Sequence, residues 1–141
     1  MQPWHGAIDA ETERRRDEFD AMVDAAVRSI PAPFADHLDA VAIVTEDEAR
    51  PDQQRPGILL LGLYEGVPRT AWGATAVPIP CRITLYRLPH EWLHPDPAER
   101  ARAVESTLRH EIAHHFGTDE ARIRRIEAAR VRTPGDVPPS R

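Results

Sequence analysis

The sequence predicts an α+β domain, and three observations carry that prediction. An amphipathic helical pattern covers residues 9–30, short apolar or alternating stretches with strand character fill residues 40–87, and a strongly capped helix begins at Asp96. The helices stand before and after the strands rather than alternating with them. Residues 1–132 are read as one domain and residues 133–141, rich in proline and glycine, as a disordered tail.

The 141 residues suffice for a real core, and 41% hydrophobic with 29% charged residues is ordinary for a soluble globular chain. No stretch approaches the run of about 20 apolar residues that a membrane helix needs, so no membrane partner is expected. Met1-Gln2-Pro3-Trp4-His5 has neither a basic region nor an apolar core, so a signal peptide is not expected and cytoplasmic residence is the default. Cys81 is the lone cysteine, which excludes an intrachain disulfide and a cysteine metal cluster and leaves an inert thiol as its expected role. The net charge of −5 argues against nucleic acid as a general partner.

In the first helix, Phe19, Met22, Val23, Ala26, Val27 and Ile30 recur at three- and four-residue steps. Asp9 is placed to cap its start, Glu11 and Glu13 suit the positive end of the dipole, and Pro31 and Pro33 stop it. The run Arg14-Arg15-Arg16 has acids on both sides and reads as a solvated face rather than an anion site. Residues 40–45 are apolar and β-branched, a buried strand; residues 46–57 are a polar loop. Residues 58–63 form a continuous apolar run, short enough to be a central strand. Turn chemistry follows at Glu65-Gly66-Val67-Pro68, and residues 72–77 suit an irregular edge strand before Pro78 and Pro80. Residues 82–87 alternate, with Ile83 and Leu85 on one face and Arg82, Thr84 and Tyr86 on the other. Residues 89–95 are read as a loop holding His90, Trp92 and His94.

Asp96-Pro97-Ala98-Glu99 is a helix start in which an acid caps, proline takes the first helical position and glutamate the third. This helix runs to His115 or Phe116 and closes on Gly117, and a further short helix is expected over residues 119–130. It carries His110-Glu111-Ile112-Ala113-His114, two histidines one turn apart that can direct both imidazoles at one ion. At about 100° per residue, Ala101, Val104, Leu108 and Ile112 form the stripe that faces the sheet. His115 falls inside the stripe and reads as a packed, hydrogen-bonded histidine. His110 and His114 lie roughly 120–160° from its centre, beside the small residues Ala103 and Thr107.

Glu111 adjoins the first histidine, where a general base for a metal-activated water is wanted. Gly117 tolerates a positive φ, so the chain can reverse below the ion, and three further residues span at most about 10 Å. Glu120 is the preferred third ligand; Asp119 competes with it, its other role being to cap the next helix.

From residue 33 to residue 126 the chain resembles the small bacterial zincin-like metallopeptidases, a minimal form of the metzincin catalytic core. The resemblance rests on Val41-Ala42-Ile43-Val44 followed by acids, on residues 61–68, on Arg82-Ile83-Thr84-Leu85-Tyr86-Arg87 and on His110-Glu111-Ile112-Ala113-His114-His115-Phe116-Gly117. It implies a zincin-like fold: a mixed, twisted sheet of about four strands packed on an N-terminal helix and the motif helix. It also implies Zn²⁺ held by His110 and His114, with Glu120 at the motif position often occupied by aspartate, and Glu111 as catalytic base.

The chain departs from full metzincins in having no methionine beyond Met22, hence no methionine turn. With 21 residues after Glu120, a wall for a deep protein-binding cleft is not expected. The expected activity is hydrolysis of a peptide or small protein, with residues 72–77 as a docking edge and Tyr64 and Tyr86 as oxyanion stabilisers or, more simply, packing residues. A different class stands beside it: a metal-binding interaction or regulatory protein on the same scaffold with little or no peptidase activity.

Overall fold

Helix α1 (Pro3–Arg28) leads into a short helix α2 (Ala32–Ala35) and strand β1 (Val41–Glu46). After a 3-10 turn at Pro51–Gln53 come β2 (Gly62–Glu65) and β3 (Cys81–Tyr86), then α3 (Arg87–Leu93) and α4 (Pro97–Phe116). This computed structural model describes residues 3–38, 41–66 and 81–117, with side chains from residue 9. The expected edge strand at 72–77, helix at 119–130 and tail at 133–141 lie outside those residues.

The architecture is α+β with a small mixed sheet, three strands among the described residues where about four were expected, in the order β1-β3-β2. β1 runs parallel to β3, pairing Val41 with Cys81 through Glu46 with Tyr86, and β2 runs antiparallel, pairing Gly62 with Leu85 and Glu65 with Arg82.

This order corrects two expectations. The apolar run at 58–63 is not a central strand: pairing begins only at Gly62, and Ile58 and Leu59 are exposed. The apolar strand at 41–46 is only half-buried, because it lies at one side of β3. The central place belongs to β3, whose Ile83 and Leu85 are fully buried and whose Thr84 and Tyr86 are buried on the other face. A central strand flanked on both sides and packed on both faces needs few polar positions, and only Arg82 is exposed.

The core lies between the sheet, α1 and α4. Phe19, Val23 and Ala26 of α1, with Ile30 just beyond its end, meet Ile83 and Leu85 of β3 and Val104, Leu108 and Ile112 of α4. Both helical stripes are those the periodicity indicated. α1 nevertheless starts at Pro3, so Asp9 is an interior helical residue rather than a cap, and Glu11 stands beyond the first turn. The arginine run on its surface is ion-paired: Arg14 and Arg15 with Glu11, Arg16 with Asp47.

α3 replaces the expected loop. Pro89 sits in its first turn, where a missing N–H costs no helical bond, and Arg87 and Glu91 pair one turn apart at 3.1 Å. α4 matches its local signals. The Asp96 carboxylate accepts from the Glu99 N–H at 3.0 Å, and Gly117 closes the helix in the left-handed region at φ 64°. Arg100, buried in the first turn, donates to the His94 and Pro95 carbonyls and to Glu18 of α1, fixing how the helix lies on α1. No helix among the described residues is long and apolar enough to cross a membrane.

Candidate metal centre

With Val104, Leu108 and Ile112 held against the sheet, residues 110 and 114 must face outward, and both histidines are exposed. Their ring centroids are 5.9 Å apart with the planes at 61°. His115 is fully buried on the opposite side, where the wheel places it. Its Nδ1 is 3.0 Å from the Tyr64 hydroxyl, which in turn donates to Cys81 Sγ at 3.1 Å. Among the described residues no group of three or more His, Cys, Asp or Glu is arranged to hold an ion. His110 and His114 supply a pair of imidazole nitrogen donors of the kind Zn²⁺ takes, on a face where a third ligand has room to approach. Glu120 and Asp119, the candidates for that ligand, lie outside the described residues.

Glu111, unlike the exposed His110 and His114, is only 9% exposed. Burial raises its carboxyl above the usual range, against the opposing effects of His110 and a backbone hydrogen bond from Tyr64. A carboxylate held in this way takes up a proton more readily than an exposed one, which suits a general base.

Glu111 and His110 line a cleft of about 330 Å³ together with Ser106 and Thr107 of α4 and the segment 59–62 that enters β2. Gly62 allows the two walls to meet: a Cβ there would lie 2.7 Å from Thr107 Cγ2 and 3.2 Å from both Leu85 Cδ2 and the Thr84 carbonyl. Behind the cleft, fully buried His90 pairs its Nδ1 with the Tyr86 carbonyl at 2.7 Å and its Nε2 with Thr107 Oγ1 at 3.0 Å. Thr107 Oγ1 also lies 2.9 Å from the Ala103 carbonyl, so its hydroxyl is occupied on the inner side. Burial holds the His90 pKa down, and the Tyr86 carbonyl, which can only accept, takes the proton of Nδ1.

Sequence reasoning missed this cleft because an apolar run reads as core, whereas the Leu59 side chain is 41% exposed. The contradictory signal was Arg55-Pro56-Gly57 just ahead of it, turn chemistry that delays strand pairing to Gly62. Neither tyrosine lines the cleft. Tyr64 bonds His115 and Cys81, and Tyr86 donates to Gln53 Oε1 at 3.3 Å, so both take the packing role.

No curated protein matches the chain. The model of one family, described as zincin-like metallopeptidase, matches residues 38–130, which take in the whole sheet, the cleft and the motif helix. With the two outward histidines and the buried glutamate between them on one helix, the chain belongs to the zincin-like metallopeptidase family.

Proposed function

We propose that the protein is a zinc-dependent metallopeptidase acting on short peptides, with His110, His114 and Glu120 holding the ion and Glu111 serving as general base. The observation that carries the reading is that the buried Glu111 carboxyl and the first histidine share one cleft. Family membership implies a metal, and zinc suits two imidazoles and a carboxylate, as in other catalytic centres with an open position. Bound there, the ion supplies Lewis acidity that polarises a scissile carbonyl and acidifies water.

The chain's own residues do the rest. Glu111 accepts the proton of the attacking water and returns it to the departing nitrogen, and its raised pKa serves both transfers. The Glu111 carboxyl lines the cleft, and Thr107, anchored by His90, shapes the floor. A cleft of about 330 Å³ stands at the low end of ligand sites, which run from about 300 to 1,000 Å³, so a short segment fits better than a folded protein.

The test is Glu111→Gln. Zinc-loaded wild-type protein should cleave members of a broad peptide library, and the variant should keep its metal while losing cleavage by at least a hundredfold, the low end of general-base contributions of about 10²–10⁴. A metal-loaded wild type that cleaves none of the library leaves the other reading, a metal-binding interaction protein on the zincin scaffold.

A further inference from the structure

We infer that the cleft beside Glu111 recognises a bulky aliphatic or aromatic side chain, and, taking the peptidase reading as given, that this side chain flanks the bond to be cut. Leu59, Leu60 and Leu61 form one wall, and Ser106 and Thr107 stand opposite on α4. Thr107 offers the cleft little polarity, because its hydroxyl is occupied by His90 Nε2 and the Ala103 carbonyl and its methyl faces Gly62. Apart from His110 and Glu111, which the chemistry uses, no charged or titratable side chain among the described residues lines the space. An acidic or basic substrate side chain would lose its water there without gaining a partner beyond the residues the chemistry uses.

The lip of the cleft points the same way. Ile58 is 58% exposed and Leu59 41%, an apolar edge left in water beside the cleft. A substrate carbon chain laid against that edge removes apolar area from water on both partners. The volume of about 330 Å³ admits one or two side chains. Since Glu111 lines the same space, the backbone carrying the seated side chain is the backbone within reach of its carboxyl.

Binding measured without turnover separates this inference from the proposed activity. Full-length, zinc-loaded Glu111→Gln protein is titrated with dye-labelled, glycine-rich peptides identical but for one residue, Leu, Phe, Ala or Asp, and fluorescence anisotropy is read. Leu and Phe peptides should bind at least tenfold more tightly than Ala, the low end of the ~10–200-fold that small apolar differences produce in such pockets, and Asp should bind least. Leu59→Ser should shrink the Leu-over-Ala preference to less than threefold. Ser106→Phe, an exposed position that fills the cleft from the helix side, should abolish the preference. Equal binding of the four peptides, or a preference unmoved by both substitutions, overturns the inference. Selective binding with no cleavage by the wild type upholds the cleft's selectivity and removes the peptidase reading instead.

Discussion

Gly62→Ala is the sharpest probe of how the cleft is built. The added methyl would sit 2.7 Å from Thr107 Cγ2, a separation that Cβ atoms do not tolerate, and 3.2 Å from Leu85 Cδ2 and the Thr84 carbonyl. Thr107 cannot simply rotate away, because its hydroxyl is fixed by His90 and the Ala103 carbonyl, so β2 must shift off α4. Overpacking of this kind costs about 1–3 kcal/mol, and alanine recovers about 0.5–1 kcal/mol over glycine in strand entropy. Taking the middle of each range, the net loss is about 1 kcal/mol. In urea, at an m-value of about 2 kcal/mol/M, the midpoint should fall by about 0.5 M. Thr107→Ser deletes the clashing methyl and keeps the hydroxyl. In that background Gly62→Ala should cost at least about 1 kcal/mol less than in the wild type, a coupling a double-mutant cycle resolves. Additive losses, or a midpoint unchanged by Gly62→Ala alone, would refute the claim that a Gly62–Thr107 contact sets the spacing of the walls.

Two further predictions concern pH and stability. Burial depresses the His90 pKa below 6.5, so the unfolded chain binds a proton that the folded one declines. Stability is therefore full above that value and falls as pH drops below it. Replacing His90 by Leu should flatten this dependence while lowering stability near neutrality by about 1–3 kcal/mol through the stranded Tyr86 carbonyl, both read from urea midpoints across pH 5–8. Asp47 behaves with the opposite charge: Arg16 first, then Arg87, lower its carboxyl from 3.8 to about 2. Its contribution is present above 3.8 and lost as pH falls through about 2, so Asp47→Asn should flatten the acid limb of thermal unfolding between those values.

The parts of the fold legible in the sequence were those set by local chemistry. The Asp96 cap, Pro97 and the Gly117 stop lie within a turn of the groups they satisfy, so α4 could be bounded from its own residues. The wheel then separated His115 from His110 and His114, because one stripe of the helix had to be buried. The alternation of Ile83 and Leu85 was equally readable. Sheet order was not, since it depends on which strands pair across long separations: the most apolar run, at 58–63, became the lip of a cleft, while the alternating strand became central. α3 escaped notice because seven residues show too little periodicity and Pro89 reads as a breaker unless its place in the first turn is known. The cleft needed the tertiary structure, as it joins residues 59–62 to a helix more than forty positions away in sequence. His90 likewise gave no sign of being fully buried behind Thr107 until α3 and α4 were seen together.

Elemental analysis tests the central claim most directly. Purified protein, supplemented with zinc and dialysed, should retain close to one equivalent of metal, and a His110→Ala, His114→Ala double variant should retain none while still folding, since both side chains are exposed. Equal metal in the two proteins, or none in either, would contradict a metal centre built on the outward face of α4.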